Sequence, residues 1–203
     1  MGHEGKEGAH SPLAVAEILA LPKANKTTGV EHRLVLYDML RSVIPTNDVA
    51  STITKALLTL IVKETNDVAM SLLAQTIALH ITFQLRTNQG LEPEVINVIL
   101  REMTSPKAGL RRIFCTIAGR ALWDLGNDLS DAAQSFAASV YPVFESTLKT
   151  ISANPLNSTA GSLEGYVSLA ALLGPVSHLG VQNYGDARSP EVLLCNAASH
   201  IIK

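Results

Sequence analysis

The sequence predicts an all-α fold, a stack of antiparallel helix pairs, on three observations. Apolar residues recur at steps of three and four through most of its 203 residues. Proline, glycine and capping side chains interrupt the pattern at helix-length intervals. The apolar face also returns in phase at an offset of about 40 residues, the period of helical-hairpin repeats.

The elements follow in order. Ser11-Pro12 places a capping hydroxyl before a first-turn proline, and a short helix runs to about Leu21, where Pro22 ends it. Lys23 to Gly29 is a polar linker. Glu31 to Val43 is helical through Leu34, Leu36, Tyr37 and Leu40, and Pro45 closes it. Asn47 or Asp48 caps a helix carrying Val49, Ile53, Ala56, Leu57, Leu60 and Ile61. Thr65-Asn66-Asp67 makes a tight break. Met70, Leu73, Ala74, Ile77, Ile81 and Leu85 then repeat the stripe up to Gly90. Pro93 starts a helix with Val95, Ile96, Val98, Ile99 and Met103. Ser105-Pro106 starts the next, with Leu110, Ile113, Phe114, Ile117, Ala118, Ala121 and Leu122, and Gly126 stops it. Asp131 caps a helix with Ala133, Phe136, Ala137, Val140, Phe144, Leu148 and Ile151. Ser152 to Ser162 is a longer loop. Leu163 to about Leu173 is helical and broken by Gly174-Pro175. Asn183 to Ser189 turns, and Pro190 opens a last helix with Val192, Leu193, Ala197 and Ile201. No stretch alternates with period two, so no sheet is expected. The short connections make neighbouring helices antiparallel.

Composition agrees. Residues are 47% hydrophobic but only 4% aromatic, so Leu, Ile, Val and Ala must fill the core, which favours helices over sheet. A net charge of -2 supplies no bulk attraction to nucleic acid or an anionic membrane, and any such contact must be a local patch. Cys115 and Cys195 lie far apart and form neither a disulfide framework nor a metal motif. No unbroken apolar run reaches the roughly 18 residues that span a bilayer. Residues 1–10 are polar and Gly-rich, read as a disordered leader and not as a signal peptide. Residues 11–203 form the stack. Its last residues, Ser199-His200-Ile201-Ile202-Lys203, carry no stop signal, so the expectation is a segment of a much longer array.

The repeat is explicit between the helix near Asn66 and the one near Pro106. Met70 falls on Leu110, Leu73 on Ile113, Thr76 on Thr116, Ile77 on Ile117 and Ala78 on Ala118. A lone helix pair cannot cover both its apolar faces, and stacking the next pair does. Pro142 within a helix and the pair Leu110-Arg111 early in another are similar to features of HEAT units. Met70-Ser71 lacks the Arg, so that unit is degenerate. The fold expected is thus a HEAT-repeat, armadillo-like α-solenoid.

No catalytic set emerges. His3, His10, His32, His80, His178 and His200 are never three to five residues apart, so no helical metal pair exists. His80, on an apolar helix, reads as a packing residue. Cys115 has Arg111 and Arg112 nearby but no partner base, so a buried inert thiol is expected. Gly174, Gly180 and Gly185 make no phosphate loop. Asp124, Asp128 and Asp131 flank a helix end and a cap, where acidic groups help locally. The chain is therefore read as a non-enzyme with no cofactor, no metal and no small-molecule substrate. One feature suggests binding: Arg101, Lys107, Arg111 and Arg112 cluster around one inter-helix turn, and Arg86 is expected on the same edge one repeat earlier.

Five strings carry a family resemblance: Leu21-Pro22-Lys23-Ala24-Asn25-Lys26, Glu31-His32-Arg33, Lys63-Glu64-Thr65-Asn66-Asp67, Leu110-Arg111-Arg112-Ile113-Phe114-Cys115 and Ala153-Asn154-Pro155-Leu156-Asn157-Ser158. In them the chain resembles the N-terminal region of the large HEAT-repeat translational activators of general amino-acid control. The resemblance implies a cytoplasmic scaffold that associates with ribosomes, through rRNA or a ribosomal protein surface. It also implies help in activating the kinase of initiation factor two alpha during amino-acid starvation. Other subunits of the kinase-activating complex would be reached through the full-length protein. No membrane partner is implied. The alternative is a transport-receptor-like module holding peptide or protein cargo on a concave face. Trp and Asn ladders would mark it, and the single Trp123 counts against it. A helical hydrolase would need a nucleophile and base that the sequence does not offer.

Overall fold

The computed structural model describes residues 29–42, 47–125 and 130–153. They form six helices: α1 (Val30–Ser42), α2 (Asn47–Ile61), α3 (Asp67–Arg86), α4 (Pro93–Met103), α5 (Ala108–Leu125) and α6 (Asp131–Ala153). No strand occurs among the described residues. The helices expected before Leu21 and after Leu163 lie outside them.

Local chemistry explains most of the boundaries. The Asn66 side chain accepts from the Ala69 amide at 3.0 Å and caps α3. Pro93 opens α4, where its missing N–H costs nothing. Three boundaries differ from the sequence expectation. α3 is stopped by Asn88, not Gly90. Asn88 alone among non-glycine described residues has positive φ (55°), and the Gln89 amide reaches back to the Gln84 carbonyl at 2.9 Å. That is a left-handed C-terminal cap, which Asn tolerates. α5 begins at Ala108, two residues past Pro106, because Ser105 Oγ takes the Lys107 amide at 3.3 Å inside the turn. α6 is capped by Ser130, whose Oγ accepts from the Ala133 amide at 3.3 Å, and not by Asp131. Pro142 sits inside α6 without ending it.

The helices form two rows. α1, α3 and α5 lie side by side in parallel, with α3 between the other two; α2, α4 and α6 form the second row. Antiparallel hairpins α2–α3 and α4–α5 join the rows. α3 packs extensively along both α1 and α5, whereas α2 and α4 barely meet. A stack with one close row and one splayed row bends toward the close row, so α1, α3 and α5 line the concave side.

α3 is the core helix. Leu73, Ile77, Ala78, Ile81 and Leu85 are fully buried, and so are Ile117, Ala118, Ala121 and Leu122 of α5 beside it. By length and apolarity α3 could cross a membrane, yet most of it is buried inside the stack, and packing accounts for its composition. Its buried polar groups make cross-ties. Thr76 Oγ1 shares its proton between the Leu72 carbonyl at 3.0 Å and the Tyr37 carbonyl at 3.2 Å, Thr82 Oγ1 shares its own between the Ala78 carbonyl at 2.8 Å and the Ala121 carbonyl at 3.3 Å, and His80 Nε2 donates to the Leu40 carbonyl at 3.0 Å. The ties between helices join residues 39 or 40 apart, the repeat period made physical. The apolar pairs match in phase, with Leu73 and Ile113, Ile77 and Ile117, and Ala78 and Ala118 all buried. Thr76 is buried and Thr116 exposed, so that polar pair does not match.

Candidate partner-binding edge

Parallel packing gives the stack two edges. α1, α3 and α5 begin at the first and end at the second. Arg33, early in α1, meets Glu64, just before α3, whereas Leu40, late in α1, meets His80, well along α3. The α2–α3 and α4–α5 turns therefore both lie at the first edge.

The α2–α3 turn is built around a buried carboxylate. Glu64 accepts from Arg33 Nε at 2.9 Å and Nη2 at 3.0 Å, from the Tyr37 hydroxyl at 3.1 Å, and from the Thr65 and Asn66 amides at 2.9 and 3.0 Å. Burial alone would push its carboxyl up; Arg33, the two amides and Tyr37 outweigh that, and the carboxyl is held below its ordinary value. Hydrogen bonding to Glu64 raises Arg33 despite its burial, and Tyr37 is pushed well up, first by burial and then by the Glu64 charge. Two of the strings that carry the family resemblance, Glu31-His32-Arg33 and Lys63-Glu64-Thr65-Asn66-Asp67, thus meet in space through this ion pair.

The α4–α5 turn carries the predicted cations. Arg101 is 68% exposed and pairs with Glu102 at 2.8 Å. Lys107 is exposed on the turn. Arg111 is half-buried, and its Nη1 donates to the Ser105 carbonyl at 2.8 Å, so it braces the turn. Arg112 is half-buried one residue on. From Arg101 to Arg112 four cations face one carboxylate, Glu102.

Arg86 does not join them. It ends α3 and donates to the Asp124 carbonyl near the end of α5, which is the second edge. Asp124 lies 13 residues beyond Arg111, or about 20 Å along the helix at 1.5 Å per residue. The antiparallel alternation makes this unavoidable. The chain runs back along α4 between Arg86 and the α4–α5 turn, so the two ends are opposite. The same count places Lys63, which the sequence reading passed over, at the first edge. Lys63 is exposed and lines one groove together with Arg101. The basic edge is therefore Lys63, Arg101, Lys107, Arg111 and Arg112.

The other candidate groups hold no chemistry at this edge. Among the described residues no three His, Cys, Asp or Glu side chains converge on a metal-sized site. His80 is buried, and its Nδ1 has no hydrogen-bond partner among the described residues. Since Nε2 meets a carbonyl, it carries the proton, and burial keeps the ring below its ordinary pKa. Cys115 is buried; burial pushes its thiol up to about 12 against the opposing pull of Arg111, leaving a protonated, unreactive group. Asp124 takes Arg120 at 2.9 Å and Asp131 is exposed in the first turn of α6. Cys195, Asp128, Gly174, Gly180 and Gly185 lie outside the described residues. On the α1, α3 and α5 row the large exposed apolar residues among those described are Val30, Val35, Met39, Val68, Leu79 and Trp123. They form no Trp or Asn ladder of the cargo-receptor kind.

Two rows of helices, cross-tied at a 40-residue spacing with turns lined up along each edge, define an all-α HEAT-like solenoid, a class that works by displaying surface. The particular family is then clear: residues 30–197 match the family described as General control nonderepressible 1 (Gcn1) N-terminal, and the chain belongs to it. This agrees with the resemblance carried by the five strings. No curated protein and no solved structure matches the chain.

Proposed function

We propose that this segment is a non-enzymatic part of a cytoplasmic translational activator and that it helps hold that activator on the ribosome. The activator promotes activation of the kinase of initiation factor two alpha when amino acids run short. The observation that carries the reading is the basic first edge. Two successive inter-helix turns present Lys63, Arg101, Lys107 and Arg112 along one line, in a chain whose net charge is -2. A rigid stack holds those turns at fixed spacing, and a ribosomal surface of rRNA phosphates or acidic side chains supplies the complement. Contacts of this type weaken steeply with salt, because binding releases counterions. Contacts with the other subunits of the kinase-activating complex fall to the full-length protein.

Co-sedimentation with ribosomes tests this directly. Reversing Lys63, Arg101, Lys107 and Arg112 to Glu is expected to remove most pelleting at low salt. Arg111 is left in place because it braces the turn. Reversing Arg86 at the opposite edge should leave pelleting unchanged. Equal pelleting of the fourfold variant and the parent rules the proposal out.

A further inference from the structure

The splay between α2 and α4 opens a groove of about 400 Å³ on the convex row. Its floor is Leu58 of α2 and Val62 of the turn that follows it, with Val95 and Val98 of α4. Leu58 and Val95 are buried, while Val62 remains 42% exposed. The two ends differ in charge. At the second-edge end Lys55 is held by Glu92 and, at 3.0 Å, by Glu94, so that end carries more negative than positive charge. At the first-edge end stand Lys63 and Arg101. Lys63 has no carboxylate partner among the described residues, and Arg101 keeps its guanidinium 68% exposed beside Glu102.

We infer that this groove is a docking site for an acidic amphipathic protein segment. Apolar side chains of the segment seat between α2 and α4, and its carboxylates meet Lys63 and Arg101. The size fits a short stretch of helix. From Lys55 to Ile61, the end of α2, the groove wall runs about 9 Å, a little under two helical turns. The volume is that of ordinary binding clefts. Helix-in-groove recognition reads apolar anchors at steps of three and four, which a valine and leucine floor accepts. Charge complementarity at one end sets the direction of the segment and excludes basic competitors. The same floor argues against RNA. Single-stranded RNA is held by stacking on aromatic rings, and none of the residues lining this groove is aromatic. The groove shares Lys63 and Arg101 with the basic edge, but its apolar floor is its own, so peptide binding and ribosome pelleting are lost separately: Val62→Glu removes only the first.

Fluorescence anisotropy on the whole 203-residue chain tests it. The probe is a labelled synthetic peptide of about four helical turns, with leucines at steps of three and four and flanking glutamates. A second peptide carries lysines in place of the glutamates, and a labelled single-stranded oligouridylate serves as the RNA arm. The acidic peptide is expected to bind at least about tenfold more tightly than the basic one. Val62→Glu, an exposed change that leaves the core intact, should abolish that binding. The double variant Lys63→Glu with Arg101→Glu should lose the acidic peptide and gain the basic one, a swap that misfolding cannot mimic. Equal affinity for both peptides overturns the inference. So does acidic-peptide binding that survives Val62→Glu, or tighter binding of the oligouridylate than of the acidic peptide.

Discussion

Glu64 is the residue on which the first edge depends. Its carboxylate ties α1 to the α2–α3 turn through Arg33 and Tyr37. Removing Arg33 leaves the buried Glu64 charge with only the Tyr37 hydroxyl and two amides, and removing Glu64 takes the opposite charge away from the buried Arg33. Arg33→Ala or Glu64→Ala should therefore each cost about 3–5 kcal/mol, read as a lower urea midpoint. The double variant should cost much less than the sum, since each single change already breaks the pair. Glu64 also sets an acid dependence. Its folded pKa lies below the ordinary 4.5, so the stability it contributes is present above that value and is lost as pH falls below it.

His80 acts in the same direction but in a higher window. Its folded pKa is below the ordinary 6.5, so the unfolded chain takes up the proton first, and stability falls as pH drops through 6.5. Its Nδ1 faces no acceptor among the described residues. His80→Gln keeps an amide to donate to the Leu40 carbonyl and does not titrate. The urea midpoint of that variant should change less between pH 7.5 and 5.5, as about a unit either side of 6.5 covers the imidazole transition. A midpoint that still falls as steeply as the parent's would show that His80 is not the titrating group.

At the scale of the element, a single residue can terminate one helix and cap another. Asn88 supplies the left-handed cap of α3, and its side-chain oxygen accepts from the Ala132 amide at 3.2 Å, in the first turn of α6. Ser130 Oγ adds a bond to the Leu85 carbonyl at 3.0 Å. Asn88→Gly keeps the backbone shape and loses only the side-chain bond, while Asn88→Ala loses both. Alanine should cost about 1–2 kcal/mol and glycine roughly half that, measured by thermal or urea melting. The central position of α3 also has a measurable consequence. Ile77 is fully buried, and Ile77→Ala should cost about 2–5 kcal/mol. Ile96 of α4 is only half-buried, and the same change there should cost clearly less. Amides of α3 should exchange with solvent more slowly than those of α4, which has a single hairpin partner and splayed neighbours.

At the scale of the whole molecule, the cations of the basic edge gather at helix ends and not along helix faces. The apolar stripes were legible in sequence because a helix repeats every 3.6 residues and its buried side must be apolar. Leu73, Ile77, Ile113 and Ile117 are core residues in both readings. The basic edge was legible only in part. Arg101, Lys107, Arg111 and Arg112 fall together because they are close in sequence around one turn. Arg86, expected on this edge, lies on the opposite one, and Lys63, which no local sequence pattern singles out, lies here. Each reversal of chain direction carries the next turn to the opposite edge, so even the sequence contained the signal. Counting reversals separates Arg86 from Lys107 and unites Lys63 with it. The Arg33–Glu64 pair carried no such signal, since its members are 31 residues apart on different elements. The groove was also out of reach, because it arises from the separation of α2 and α4 in the folded stack.

By itself the sequence determined that the described residues are helical, where their helices lie to within a few residues, that they repeat at about 40 residues, and that their charges collect at turns. Those properties depend on local periodicity, proline and capping chemistry. Tertiary structure alone decided the direction of curvature, the partners of the buried polar groups and which turns share an edge. These depend on how tightly one row of helices packs compared with the other, an energy that no single helix carries. Close packing of α3 against both α1 and α5, with α2 and α4 held apart, is what turns a run of amphipathic helices into a curved scaffold with one basic edge and one open groove.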